Sequence, residues 1–428
     1  MKVYLSSIGC RLNQSEIETM SRQLMAHGHQ IVSDAAVADK VIINTCAVTS
    51  QAARDARNQT RRIQRLNPDT DIFLTGCYAT IAPTELAKLN GAVHVVGNEE
   101  KTRVVQMIDP DINDDMPEFE RDPIMREYLV GHSGNTRAFV KVQDGCNNRC
   151  TFCVTTIARG PSQSRSLTDI VSEIQALSRA GYQEAVLTGV HLGSYGQDSQ
   201  PQLKLHGLVE AILRHTDISR LRLSSLEPWD LAPGFFSLWE NPRLLPHLHM
   251  PLQSGSDDIL RRMARRTSRL AFSQLVTSAR DQIPDLNLST DMILGFPAET
   301  EFDFEQSLDY VREIGFSRLH AFTYSPRPGT AAAKMPGQIQ NAIKKERTRR
   351  MIELGKELSL AYHQRYDGQT RPVLWETNIG ARKNGLLWSG YSDNYIRVTA
   401  VGPENMFNSV TPTQLYGART DGVAGNII

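Results

Sequence analysis

The amino-acid sequence predicts an α/β protein in three parts: an N-terminal parallel α/β unit, a central partial or full β/α barrel, and a small C-terminal all-β unit. Three observations lead there. Strand-like and helix-like segments alternate from Lys2 to about Gly97, and again from Arg137 to about Ser325. An acidic, proline-containing stretch, DPDINDDMPEFERD from Asp109 to Asp122, separates the two runs and reads as a linker. Beyond Gly368 the chain breaks into short apolar runs punctuated by glycine, the pattern of short β-strands.

In the first part, residues 1–108, the strands are KVYLSS, VIINTC, DIFLTGC and VHVVG, with helices starting at about Asn13, Ser50 and Pro83. The linker covers 109–136. The second part, 137–366, offers strands at AFVKVQ, EAVLTG, SRLRLSS, LPHLHM, LNLSTDMIL and SRLHAFTYS, separated by helical segments, and that succession is the pattern of a β/α barrel. A helix from about Gln340 to Tyr366, carrying the basic run KKERTRR, closes it. The third part is 367–428.

At 428 residues and 40% hydrophobic content, the chain can bury the cores of two or three domains. It carries 47 Lys+Arg against 47 Asp+Glu, so net charge supplies no bulk attraction to nucleic acid and any basic surface must be local. The opening MKVYLSSIGC lacks the apolar core of a signal peptide, and no stretch reaches the roughly 18 apolar residues of a membrane span. The expectation is a cytoplasmic protein with no membrane partner. Six cysteines in such a chain read as ligands or catalysts rather than disulfides, because thiols in that compartment stay reduced.

Cys146, Cys150 and Cys153 form C-x3-C-x2-C within QDGCNNRCTFCV, directly after the first strand of the second part. Three closely spaced thiolates can hold three irons of a [4Fe–4S] cube and leave the fourth open to another ligand. A zinc site is the alternative, but it usually takes two C-x2-C pairs, and only one is present with no nearby histidine to complete it. A plain electron-transfer cube would need C-x2-C-x2-C and a fourth cysteine. Cys10, Cys46 and Cys77 are far apart in sequence, yet each ends a strand: SIGC, NTC and TGC. In a parallel sheet those ends share one edge, where α/β sheets place their ligands, so a second three-cysteine cluster site is expected there. Buried cysteines acting as small hydrophobes are the alternative.

With both sets in view, the chain resembles the radical S-adenosylmethionine methylthiotransferases, enzymes that insert sulfur and a methyl group at an unactivated C–H bond. The resemblance spans nearly the whole chain and rests on GCRLNQSEIE, NTCAVTSQA, GCYAT, VQDGCNNRCTFC, LTGVHLGSYGQD and HMPLQSGSDDIL. It implies an N-terminal cluster domain, a central radical-SAM partial β/α barrel and a C-terminal TRAM-like β domain. Gly9, Cys10, Arg11, Leu12 and Asn13 resemble the MtaB type, similar to enzymes acting on threonylcarbamoyladenosine beside the tRNA anticodon. The isopentenyladenosine type has Gly-Cys-Gln-Met-Asn there, and the ribosomal-protein type Gly-Cys-Pro-Lys-Asn. One departure stands out: Thr155, Thr156 and Ile157 precede Ala158, Arg159 and Gly160 where the family often has Ile-Pro-Tyr.

The resemblance implies two [4Fe–4S] clusters, on Cys10, Cys46 and Cys77 and on Cys146, Cys150 and Cys153, the latter set being catalytic. S-adenosylmethionine is implied as methyl donor and radical source, chelated by the open iron of the second cluster, with Phe152 beside it. Thr188 and Gly189 end the next strand, where backbone groups can meet the methionine amine; an ordinary turn is the alternative for Gly189. Ser224, Gln253 and Asp291 also sit at strand ends, on the expected catalytic face. The implied partners are a tRNA anticodon stem-loop and an electron donor such as flavodoxin or ferredoxin, and the enzyme is expected to be a monomer.

For RNA contact the candidates are Arg159, Arg165, Arg265, Arg266, Lys344 and Lys345, the middle pair within RRMARRTSR and the last pair within the basic helix. A charge run is usually a solvated face, which is the alternative for each. Trp375, Trp388, Tyr391 and Tyr395 divide between base stacking and core packing. The same chemistry on isopentenyladenosine or on an aspartate of a ribosomal protein stays open, as does a non-catalytic iron–sulfur carrier. The carrier reading leaves the glycine-rich strand ends unexplained.

Overall fold

Val41, Ile42 and Ile43 are fully buried, and an apolar run covered on both faces is what the middle strand of a parallel α/β sheet requires. The computed structural model describes residues 1–89, 91–112, 136–199, 203–231 and 234–428. The expected linker at 109–136 therefore falls mostly outside the described residues.

The first sheet consists of β1 (Lys2–Ser7), β2 (Gln30–Val32), β3 (Lys40–Thr45), β4 (Asp71–Gly76) and β5 (Val93–Val95), all parallel in the order β2-β1-β3-β4-β5. Its helices are α1 (Arg11–Ala26), α2 (Ser50–Leu66), α3 (Cys77–Ile81), α4 (Pro83–Leu86) and α5 (Arg103–Ile108). The Thr49 side chain caps α2 by accepting from Ala52 N–H at 3.1 Å. The helix expected from Pro83 is a single turn, and α3 and the edge strand β2 are additions to the expected elements.

The central part begins with β6 (Arg137–Lys141), the two-residue β7 (Gln143–Asp144), α6 (Thr155–Arg159) and the two-residue β8 (Gln163–Ser164). The α/β succession then runs through α7 (Leu167–Arg179), β9 (Glu184–Thr188), α8 (Leu205–His215), β10 (Arg220–Leu223), β11 (His247–His249), α9 (Asp257–Arg262) and α10 (Arg269–Gln282). It closes with β12 (Asn287–Leu294), α11 (Glu301–Ile314), β13 (Arg318–Thr323) and α12 (Asn341–Gln364). Two parallel three-stranded sheets, β10-β9-β6 and β11-β12-β13, are joined by parallel bridges Leu221 to Leu244 and Ser225 to His249. The six strands thus form one curved, open wall. One continuous apolar core, from Val140 and Leu187 to Leu288 and Phe316, lies between this wall and its helices.

The C-terminal part is a closed barrel of β14 (Thr370–Arg382), β15 (Gly385–Ser392), β16 (Arg397–Gly402), β17 (Val410–Arg419) and β18 (Gly422–Ile427), in the order β14-β15-β16-β18-β17. Trp375 and Trp388 fill its core, which settles them as packing residues. No helix among the described residues is long and apolar enough to cross a membrane.

Candidate active site between the two cysteine sets

β1, β3 and β4 are adjacent and parallel, so their C-terminal ends lie side by side. Cys10 caps α1 just beyond β1, Cys46 follows β3, and Cys77 opens α3 after β4. The glycines before two of them answer to sterics. Gly9 has φ +105°, and a Cβ there would stand 2.4 Å from Cys46 Cβ and 2.7 Å from its Sγ. Gly76 has φ +96°, with a would-be Cβ 2.4 Å from both Asn44 Oδ1 and the Thr45 carbonyl. The chain is drawn in close so that the thiols can meet.

The second set lies on the loop between β7 and α6. Gln143 shapes that loop: its Nε2 donates to the carbonyls of Asp144 and Gly145, each at 2.7 Å, and its Oε1 accepts from His191 N–H at 2.8 Å. Three sulfurs accept a backbone N–H from two residues on, each at 3.4 Å: Cys46 from Val48, Cys146 from Asn148 and Cys153 from Thr155. Such donors stabilise a thiolate, the ligating form. Burial pushes the metal-free Cys46 thiol up to about 12 and Cys150 to about 11, so ligation at these positions releases protons. All six cysteines are free. Among the described residues no three side chains converge on a single ion position; a four-iron cube asks for a wider spread, one thiolate per iron. The residues fit two clusters.

Cys10, Cys46 and Cys77 line a cavity of about 560 Å³ together with Thr188, Gly189 and Ser224. An adjoining cavity of about 530 Å³ is lined by Phe152, Cys153 and Gln253. The two share Val48, Thr155, Asp291 and Phe322 as common wall. Ser224 Oγ and Gln253 Oε1 are buried polar atoms with no hydrogen-bond partner, and Gln253 is held at φ +77°. Orphaned polar atoms and backbone strain on cavity walls are what a polar ligand such as S-adenosylmethionine would explain. Thr188 is buried, and its carbonyl accepts from Val142 N–H at 3.0 Å. A Cβ at Gly189 would stand 2.8 Å from Gln143 Oε1, so its small size is required by that side chain.

Residues 2–97 match the family described as Uncharacterized protein family UPF0004, and residues 140–311 match the Radical SAM superfamily. The chain is 36% identical over 436 residues to the threonylcarbamoyladenosine tRNA methylthiotransferase MtaB of Thermotoga maritima, covering 99% of this chain and 98% of that one. It is 33% identical over 423 residues to the MtaB of Bacillus subtilis, covering 97% and 94%. The chain belongs to the radical S-adenosylmethionine methylthiotransferases, of the MtaB type. The tRNA-2-methylthio-N(6)-dimethylallyladenosine synthase of Ehrlichia canis is 30% identical over 441 residues, 99% of each chain. A structure of the radical S-adenosylmethionine methyltransferase TsrM from Kitasatospora setae, with cobalamin and a [4Fe-4S] cluster bound, shares the fold. Its TM-score is 0.56 at 14% identity, covering 78% of this chain and 74% of that one.

In this methylthiotransferase buried polar groups back each of the two cysteine sets. The Arg159 side chain is only 2% exposed. Its Nε donates to Cys77 Sγ at 3.3 Å, one Nη to Glu16 and Asp144, each at 2.9 Å, and the other to Asn13 Oδ1 at 2.8 Å. Asn13 Oδ1 also accepts from Cys10 Sγ at 3.7 Å. Burial would raise the Glu16 carboxyl, but Lys101, Arg159 and Lys141 outweigh it and hold it well below the usual carboxylate range. On the other side, the Arg265 guanidinium grips Glu227 at 2.6 and 2.9 Å, covers Trp229 and comes within 3.8 Å of Cys150 Sγ. His191 Nε2 meets Asp230 Oδ2 at 2.5 Å beside Cys146.

These contacts correct the RNA expectation for three residues. Arg159 and Arg265 are consumed inside the site, and Lys344 is buried under Gly295 and Tyr324, its pKa lowered by burial. None has a guanidinium or ammonium free for phosphate. Arg165 is partly exposed and paired with Glu173 at 2.8 Å. Arg266 and Lys345 are exposed. Tyr391 and Tyr395 stack on each other at 4.7 Å and wall the cysteine-lined cavity rather than the outer surface. Glu16, Lys101, Asp144, Gln143, His191 and Glu227 were not singled out from the sequence, and Asn13 was named only as a helix start and type marker. For Glu16 in GCRLNQSEIE, Gln143 and Asp144 in VQDGCNNRCTFC and His191 in LTGVHLGSYGQD the one signal was membership in the quoted motifs, while Lys101 and Glu227 lie outside every one of them.

Proposed function

We propose that this chain adds a methylthio group to C2 of N6-threonylcarbamoyladenosine at position 37 of tRNA, taking the anticodon stem-loop as substrate. One observation carries the reading: Cys10, Cys46 and Cys77 line one cavity and Cys153 of the second set lines an adjoining one with a common wall, which brings one base within reach of both cluster sites. The C2–H bond is neither acidic nor electrophilic. When bound, the clusters and S-adenosylmethionine supply the hydrogen abstraction and the sulfur that no acid–base side chain can provide. The chain's own residues bind and orient: Cys146, Cys150 and Cys153 hold one cluster, Cys10, Cys46 and Cys77 the other. Ser224, Gln253 and Asp291 offer polar atoms to S-adenosylmethionine, and Phe152 closes the pocket beside Cys153. Arg159 and Arg265 place positive charge against the sulfurs, and Arg159 ties the N-terminal cysteine loops to Asp144 beside the second set. Electrons come from a flavodoxin- or ferredoxin-type donor, and the enzyme works as a cytoplasmic monomer.

Purified enzyme should methylthiolate tRNA carrying threonylcarbamoyladenosine and leave tRNA carrying isopentenyladenosine unchanged, read by mass spectrometry of the nucleosides. Comparable product from the isopentenyl substrate would sink the substrate assignment and favour the dimethylallyladenosine reading.

A further inference from the structure

Arg11 follows Cys10 in sequence but serves another wall of the cavity. The cation beside the thiols is Arg159, whereas Arg11 donates to the Tyr395 hydroxyl at 2.5 Å and lies 5.5 Å from that ring's centroid. Arg137 and Arg222 also flank Tyr395, but they are matched by Glu376 and Glu184. Arg11 has no carboxylate partner among the described residues. Arg318, exposed on β13 in the same cavity, has neither an ion pair nor a hydrogen bond among them. The one carboxylate lining the cavity, Asp291, faces His249 at 3.3 Å.

Burial first, then Arg222 and Arg11, hold His247 well below its ordinary range. Burial, opposed by Asp291 and reinforced by Arg318, lowers His320 to about 4. The His247 and His320 imidazoles are therefore neutral and do not compete as cations for an anion. A guanidinium left unpaired in a partly desolvated cavity is costly, and its natural complement is a carboxylate. Two carboxylates belong to the reaction, that of S-adenosylmethionine and that of the threonyl group. Ser224 and Asp291 line the same cavity as Arg11, but Cys153, beside whose cluster the methionine carboxylate belongs, lines the adjoining one, while Arg11 and Tyr395 stand with Cys10, Cys46 and Cys77, which favours the threonyl group.

We propose that Arg11 and Arg318, with the Tyr395 hydroxyl, bind the carboxylate of the substrate's threonylcarbamoyl group and so select it over uncharged N6 substituents. This rests on the substrate reading above. The test uses the cluster-loaded enzyme and two anticodon stem-loop RNAs, one carrying threonylcarbamoyladenosine and one its neutral threoninamide counterpart, with binding read by fluorescence anisotropy. Wild type should bind the acid about tenfold to a hundredfold more tightly than the amide. Arg11→Gln and Arg318→Gln should lose that preference, bind the amide as wild type does, and keep their iron; Arg11→Lys should recover part of it. Arg318→Gln removes no internal bond, so it decides the matter should Arg11→Gln misfold.

Equal weakening of both RNAs would overturn the proposal in favour of a phosphate contact, and a raised Kd for S-adenosylmethionine in favour of the methionine carboxylate. An unchanged preference in both variants would overturn it outright. Failure of the substrate reading shows separately, as wild type that yields no methylthio product from the acid RNA.

Discussion

Gly9 shows how much one missing side chain decides at this site. Its backbone lies at φ +105° and its α-carbon faces Cys46 with no room for a methyl group. Gly28 also has positive φ, +78°, but nothing lies within 4 Å of a would-be Cβ. Gly28→Ala should therefore cost only backbone strain, on the order of 1 kcal/mol, and retain the full iron content. Gly9→Ala should cost more than that in denaturant unfolding and lose the iron of the N-terminal site. Equal iron in the two variants would show that the close approach of Gly9 to Cys46 does not matter. The glycines beside Cys10 and Cys77 were legible in sequence because a strand ending in Gly-Cys is a local pattern. Arg159 was not. A lone arginine after a cysteine motif reads as a phosphate contact, and its carboxylates, Glu16 and Asp144, are brought to it only by packing α1 against the cluster loop.

At the scale of elements, β9 and β10 are held by a charge as well as by a ladder. Glu184 is fully buried between Arg222 at 2.8 Å and Arg220 at 2.9 Å. Burial would raise its carboxyl, but the two guanidiniums outweigh it and bring it to about 2. The native value lies below the unfolded one, about 4.3 for a free glutamate, so the stabilisation is complete above that pH and is lost as pH falls from about 4.3 to about 2. Denaturant midpoints measured from pH 7 to pH 2 should show that decline in the wild type. Glu184→Gln should be flatter across the acid window and, at neutral pH, less stable by about 3–5 kcal/mol, because it strands two buried guanidiniums. An acid slope identical to wild type would contradict this. The strands themselves were readable, since apolar runs such as VIINTC and EAVLTG are long enough to exceed local ambiguity. The edge strand Gln30–Val32 and the five-residue helix at Cys77 were not, being too short for periodicity to register.

At the scale of the molecule, three parts meet at one cavity. The N-terminal sheet presents Cys10, Cys46 and Cys77, the open barrel wall presents Ser224 and Asp291, and the β15–β16 turn of the C-terminal barrel presents Tyr395. The three-part order was legible from the two alternating runs and the glycine-rich tail. The meeting was not, because the contacts that make it, such as Arg137 to Glu376 at 2.5 Å and Arg11 to Tyr395, join residues hundreds of positions apart. The central claim is that the N-terminal cysteines serve sulfur delivery and the other three serve S-adenosylmethionine cleavage, from adjoining cavities with a common wall and with no ligand shared. The most direct measurement replaces Cys10, Cys46 and Cys77 together with alanine and counts iron, 5′-deoxyadenosine and methylthioadenosine product in the same sample. Iron should fall by about half, 5′-deoxyadenosine should still form, and methylthio product should be absent. Full product from this variant would contradict the two-cluster account.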